Sequence, residues 1–242
     1  MRRKAKKKPW FLIVLLVVLA AVGGVCIWQR NNLKALQMSR SMSAEQLTET
    51  MQTQQEKTEQ AARAAGVTVR IPTKEETDAL RGNTLSRDEL IARMAADAAA
   101  SEASPAPDAS SAADAPAQSE PAAQPQTDPA REQLNACVAE VYVMQAEYTA
   151  WLEDANQAAI DEFNALPEES KSAQAKFSIG MRYMNEALGK EKECDAKMSE
   201  LEDELRSLLN QLGEDTALAD EIHSTYLEEK AAKKAYYLGL HS

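Results

Sequence analysis

Glycine, proline and aromatic residues are scarce in this chain of 242 residues, at 8 Gly, 9 Pro and 5% Phe, Trp and Tyr. Sheet proteins need turn residues and aromatic or β-branched strands, so a β-sandwich or an α/β enzyme is disfavoured and an all-α chain is expected. Histidine is rarer still. His223 and His241 are the only two, too few and too isolated for a zinc site or a Ser–His–Asp arrangement. No catalytic, metal-binding or cofactor-binding residue is therefore expected, and no small-molecule substrate can be inferred. No Asn-X-Ser/Thr sequence occurs, which fits a bacterial source. Positive charge is in deficit, with a net charge of −11 at pH 7. The residues after Pro129 are strongly acidic, so they are not expected to bind nucleic acid or anionic lipid.

One long uncharged run stands out against this background. Trp10–Trp28 holds no charged side chain, and six Arg and Lys residues precede it. Nineteen residues of helix rise about 27 Å, close to the thickness of a bilayer's hydrocarbon core. Trp10 and Trp28 fall at its two ends, where indole rings favour the membrane interface. The basic flank puts the N-terminus in the cytoplasm and everything after Trp28 outside it. A cleavable secretory signal is the competing reading, and it exports the same part of the chain. Cys26 is read as a small apolar residue inside the span.

The organisation expected from composition is a basic cytoplasmic tail (1–9), a transmembrane anchor (10–28), a mostly helical polar stalk (29–100), a disordered Ala/Pro/Ser-rich linker (101–128) and a helical domain (129–242). In the stalk, Ser43 with Gln46, Thr73 with Glu76, and Ser86 with Glu89 have the spacing of capping boxes and predict helix starts. Gly66 and Gly82 stand where helices would stop. The seam from Ala44 to Ala65 is half polar or small, which predicts a solvated spacer or a weak dimer helix. Val67–Ile71 is the one β-like run, read as a connector closed by Pro72, with strand addition to another sheet as the lesser alternative.

The distal domain is the most specific part. Asp128 and Pro129 supply an N-cap and a first-turn proline. From Ala130 to Ala165 seam residues recur four and three apart, and Pro167 predicts a turn. The rule then resumes from Ala173 through Phe177, Gly180, Met184, Cys194, Met198 and Leu201 to Leu212. Such a pattern predicts an antiparallel coiled-coil hairpin. With the turn at 165–166, partner numbers add to about 331. That register puts Cys137 opposite Cys194, Trp151 opposite Gly180 and Met144 opposite Ala187, and in an exported domain it predicts a Cys137–Cys194 disulfide. Glu162 and Glu191 are read as register devices within the seams. A third helix, beginning near Asp215 and carrying Leu218, Ile222 and Tyr226, is expected to return along the second and complete a three-helix bundle.

The expectation for function is a non-enzymatic, membrane-anchored extracytoplasmic coiled-coil protein, a scaffold or adaptor in a bacterial cell envelope. It would contact the lipid bilayer through its anchor and a protein partner or another copy of itself through its helices. The alternative is a membrane-anchored sensor whose exported helical domain detects a ligand or stress.

Overall fold

The computed structural model describes residues 33–102 and 128–240. Within them there are helices and no strand: α1 (residues 33–41), α2 (Ala44–Ala64), α3 (Lys74–Arg81), α4 (Arg87–Glu102), α5 (Pro129–Asn164), α6 (Ala173–Gln211) and α7 (Ala217–Leu240). A 3-10 turn, Glu168–Ser170, lies between α5 and α6. The all-α expectation holds for these residues. The expected anchor, with Trp10 and Trp28, lies outside the described residues, as does the linker between 103 and 127. Among the described residues no helix is long and apolar enough to cross a membrane.

Local chemistry sets the helix ends. At α2 the Ser43 hydroxyl accepts from the Gln46 N–H at 3.3 Å, while the Gln46 side-chain oxygen accepts from the Ser43 N–H at 2.8 Å. Thr73 and Glu76 form the same reciprocal pair at α3, and Ser86 accepts from the Glu89 N–H at α4. Each cap satisfies N–H groups that the first turn leaves free. Asp128 caps α5 by accepting from the Ala130 N–H at 2.9 Å, ahead of Pro129. Gly66 and Gly213 follow α2 and α6 with φ of +68° and +71°, a conformation that a residue with a Cβ rarely adopts.

The described residues form two compact units, one of residues 33–55 with 225–240, the other of 56–102 with 128–224. In the first, Leu47, Ala232 and Ala235 make a small buried cluster, with Met38, Met42, Met51 and Tyr236 packed against it. Polar contacts surround that cluster. Lys34 pairs with Glu228 at 3.3 Å, Lys233 pairs with Glu229 at 2.8 Å, and the Lys230 ammonium sits 5.3 Å from the centre of the Tyr226 ring.

The second unit is organised around α5, against which α3, α4 and α6 pack. Within this unit α3 and α4 are held against α5. Leu85, Leu90, Met94 and Ala98 are buried, and Arg87 reaches Glu147 at 2.8 Å and Glu140 at 3.3 Å on α5. Three apolar positions four residues apart are too few to read as a seam, yet they suffice when a longer helix supplies the rest of the surface. The connector reading of Val67–Ile71 agrees with the structure. Val67 and Val69 are buried, the Thr68 hydroxyl donates to the Ala98 carbonyl at 3.0 Å, and Arg70 holds Asp97 and Glu76.

Candidate functional site: the α5–α6 hairpin

Three contacts fix the hairpin's geometry. The Cys137 thiol approaches the Leu201 carbonyl at 3.7 Å, Lys197 pairs with Glu140 at 3.1 Å, and Arg182 pairs with Glu162. The helices run antiparallel, as expected, but near the base the partner numbers add to about 338. The chain does not reverse at 165–166. It reverses over the whole span from Ala165 to Ser172, with the 3-10 turn in between. The shift is seven residues, one heptad, so seam positions still meet seam positions. Periodicity alone is blind to such a slip.

The slip overturns the expected disulfide. Cys137 lies level with Leu201, and Cys194 is one heptad away, about 10 Å along the helix. Both are free, buried thiols. Burial, with the charges of Glu204 and Glu140, pushes the Cys137 thiol up to about 12. Burial raises Cys194 as well. Thiols held in the protonated form are poor nucleophiles, so neither offers a reactive centre. The expected Trp151–Gly180 pair is displaced for the same reason: a Cβ added at Gly180 would meet nothing within 4 Å.

Along its length the hairpin changes character. At the base, Leu134, Val138 and Val141 face a leucine row of Leu201, Leu205 and Leu209, and all six are 0% exposed. From Trp151 to Leu188 only Ala159 is buried. Phe177 is 63% exposed, Met181 44% and Ile160 40%. Two helices alone cannot enclose large side chains, and beyond Asp154, the last residue that Arg81 of α3 reaches, the tip is the α5–α6 pair. At that level Arg182 and Tyr183 of α6 both reach Glu162 on α5. Of the two seam carboxylates, Glu162 is thus half-buried in that cluster, and Glu191 is buried.

Arginines that the heptad pattern could not reveal fasten the base. Arg131 on α5 donates to the Ala65 carbonyl at 2.7 Å and pairs with Glu214, tying the end of α2 to the chain after α6. Arg81 reaches the Ala150 carbonyl at 3.2 Å, Glu153 at 2.9 Å and Asp154 at 3.3 Å. Glu202 meets His223, and Arg206 meets Asp220 at 2.6 Å, setting the first turns of α7 beside the last turns of α6. The signal for Arg131 was its place three residues after an N-cap, at the one end of α5 where chain crossings converge. The signals for Arg81 and Arg87 were the acidic residues of α5, which need counter-charges.

Two further features bear on chemistry. The Asn135 Oδ1 and the Tyr142 hydroxyl, seven residues apart on α5, are buried and find no hydrogen-bond partner among the described residues. Burial first, then the charge of Glu59, holds the Tyr142 phenol well above its ordinary range. An open groove of about 730 Å³ lies where α2 ends and α7 begins, bordered by Lys57, Ala61, Gly66, Glu214 and Glu221. No group of three or more His, Cys, Asp or Glu side chains among the described residues is placed to hold a metal ion.

The class these features define, for the described residues, is an all-helical arrangement built on an antiparallel hairpin whose base is buried and whose tip is exposed. Compared with known proteins, the chain matches no family model, no curated protein and no solved structure.

Proposed function

We propose that this chain is a non-enzymatic, membrane-tethered scaffold or adaptor of a bacterial cell envelope. In this reading Trp10–Trp28 anchors it in the cell membrane, the N-terminus is cytoplasmic, and the helical units stand on the extracytoplasmic side. The observation that carries the interaction role is the hairpin tip. Phe177, Met181 and Ile160 stay exposed at the end of a helix pair that is rigidly built at its base. Large apolar side chains grouped on an exposed element mark a surface meant to be covered. The two buried thiols are compatible with an oxidising exterior, because they are a heptad apart and shielded.

The test is topological and uses the full chain in its own membrane. Carbonate-washed membranes should retain it, and protease added to spheroplasts should digest residues 129–242 while sparing a cytoplasmic control. A chain that washes free, or whose C-terminal part is protected until lysis, would overturn the anchor. A photo-crosslinker at Ile160 should capture a protein partner in intact cells, and capture of nothing would count against the adaptor role.

The groove at the α2–α7 corner favours the sensor reading as second choice, since it offers polar side chains around an open space. Its test is a shift in thermal stability on adding extracts of small envelope molecules, abolished by Lys57→Ala.

A further inference from the structure

We propose that Met38, Met42 and Met51 form a site of reversible oxidation, whose sulfoxides release the end of α7 from α1 and α2. Such a site acts whether or not the chain is anchored in a membrane or docks a partner.

Residues 33–55 and 225–240 form one compact unit, in which the first helices meet the last. Lys34 and Glu228 pair there across 194 positions of sequence. Closing so long a loop costs chain entropy, which apolar contacts at the junction have to offset. That unit has few. Its buried cluster is Leu47, Ala232 and Ala235, one leucine with two alanine methyls. Four partly buried side chains cover the cluster, Met38, Met42, Met51 and Tyr236, and three of these are thioethers. The Lys34–Glu228 pair is well exposed on both sides and holds little by itself. The methionines are therefore the main fastening.

Position decides which sulfurs react. Met94 and Met198 are 0% and 2% exposed, whereas Met38, Met42 and Met51 keep part of their surface in water. An oxidant in solution reaches the second group and not the first. Met181, 44% exposed, is reached as well, but it belongs to the other unit. Cys137 and Cys194 compete poorly, because burial keeps both thiols protonated and the thiolate is the reactive form.

Hydrogen peroxide is the oxidant. The thioether sulfur gives a lone pair to one peroxide oxygen, the O–O bond breaks, and the second oxygen leaves as water. Sulfur loses two electrons and the peroxide gains them. The product carries a polar S–O group where an apolar sulfur stood. Holding that group against Leu47, Ala232 and Ala235 without a donor costs free energy, so the cover lifts and residues 225–240 come free. Two electrons and two protons from a thiol reductant expel the oxygen as water and restore the thioether.

Peroxide treatment of the full chain, read by peptide mass spectrometry, tests the site. Met38, Met42 and Met51 should gain oxygen about tenfold faster than Met94 and Met198, as exposure dictates. Hydrogen exchange across residues 225–240 should then quicken by about tenfold. Methionine sulfoxide reductases A and B with a thiol reductant should return it to the starting rate. A variant carrying Met38→Leu, Met42→Leu and Met51→Leu keeps the apolar volume and has no sulfur to oxidise there, so its residues 225–240 should stay protected in peroxide. Met181→Leu should leave the wild-type response unchanged. Equal oxidation of Met94 and Met198, an oxidised chain with unaltered exchange, a triple variant that opens like wild type, or a Met181→Leu chain that no longer opens would each overturn the proposal.

Discussion

At the base of the hairpin Leu134, Val138, Leu201 and Leu205 are wholly buried, whereas at the tip Phe177 lies mostly in solvent and Gly180 faces open space. Both halves obey the same heptad rule on the same two helices. The difference is what lies alongside. Near the base α3 and α4 pack on α5, and the first turns of α7 meet α6 through Glu202 and Arg206. Beyond the Arg81 contacts at Glu153 and Asp154, the tip is formed by α5 and α6. Full burial of a leucine side chain is worth about 1.5–3 kcal/mol, and only the base collects it at every seam position. Coiled-coil periodicity therefore specifies which residues can be buried, and the number of neighbouring elements decides which of them are.

The largest test of this contrast is a pair of truncations. Leu201→Ala should cost about 2–5 kcal/mol, the range for emptying a packed core site. Phe177→Ala should cost under about 1 kcal/mol in dilute, monomeric protein, because most of that ring is already in water. Urea unfolding followed by circular dichroism reads both, and equal costs would erase the distinction between the two halves. Next in size is Arg131→Ala. It leaves the Ala65 carbonyl and Glu214 without their shared donor, at a cost of about 1.5–3 kcal/mol for hydrogen bonds to a charged group. Hydrogen exchange should show the last turn of α2 and the start of α7 opening first, with the hairpin tip unchanged.

Much of the larger unit was legible in the residues. The starts of α2, α3 and α4 follow from Ser43, Thr73 and Ser86, and α5 begins where Asp128 and Pro129 say it does. The hairpin and its seams follow from spacing. Its register does not, because Pro167 announces a turn without giving its length. The longer turn, with its 3-10 helix, moves the partners near the base by one heptad. The Cys137–Cys194 disulfide fell with that register. The packing of α4 on α5 was hidden for another reason. Leu90, Met94 and Ala98 make a stripe too sparse to stand out from a polar helix, and Arg87 fastens it through charges that belong to a different element. The exposed tip could not be foreseen, since Phe177 and Leu205 occupy equivalent seam positions and differ only in their neighbours.

Smaller effects sharpen the picture at the edge of the unit. Glu76 accepts two hydrogen bonds from Arg70, at 2.7 and 2.8 Å, and one from the Thr73 N–H. The Arg70 guanidinium, more than the opposing effect of burial, lowers its carboxyl to about 2. An unfolded glutamate titrates near 4.3, so the folded value is the depressed one. The associated stability is complete above about pH 4.5 and is lost as pH falls toward 2. Arg70→Gln should remove about 1–2 kcal/mol at neutral pH and flatten that acid dependence. Nuclear magnetic resonance of the α3 amides during acid titration reads it. A variant with the wild-type acid profile would mean that other carboxylates govern the transition.

The smallest change cuts the other way. Glycine inside a helix costs about 0.5–1 kcal/mol relative to alanine, because its backbone gives up more freedom on ordering. Gly180 lies well within α6, and a Cβ there meets no atom within 4 Å. Gly180→Ala should therefore stabilise the dilute, monomeric chain by about that amount, which no added methyl could do in the packed base. The gain would appear in urea unfolding as a higher midpoint with an unchanged slope. A loss would mean that the space beside Gly180 is already occupied in solution. The tip would then have to be regarded as covered, like the base.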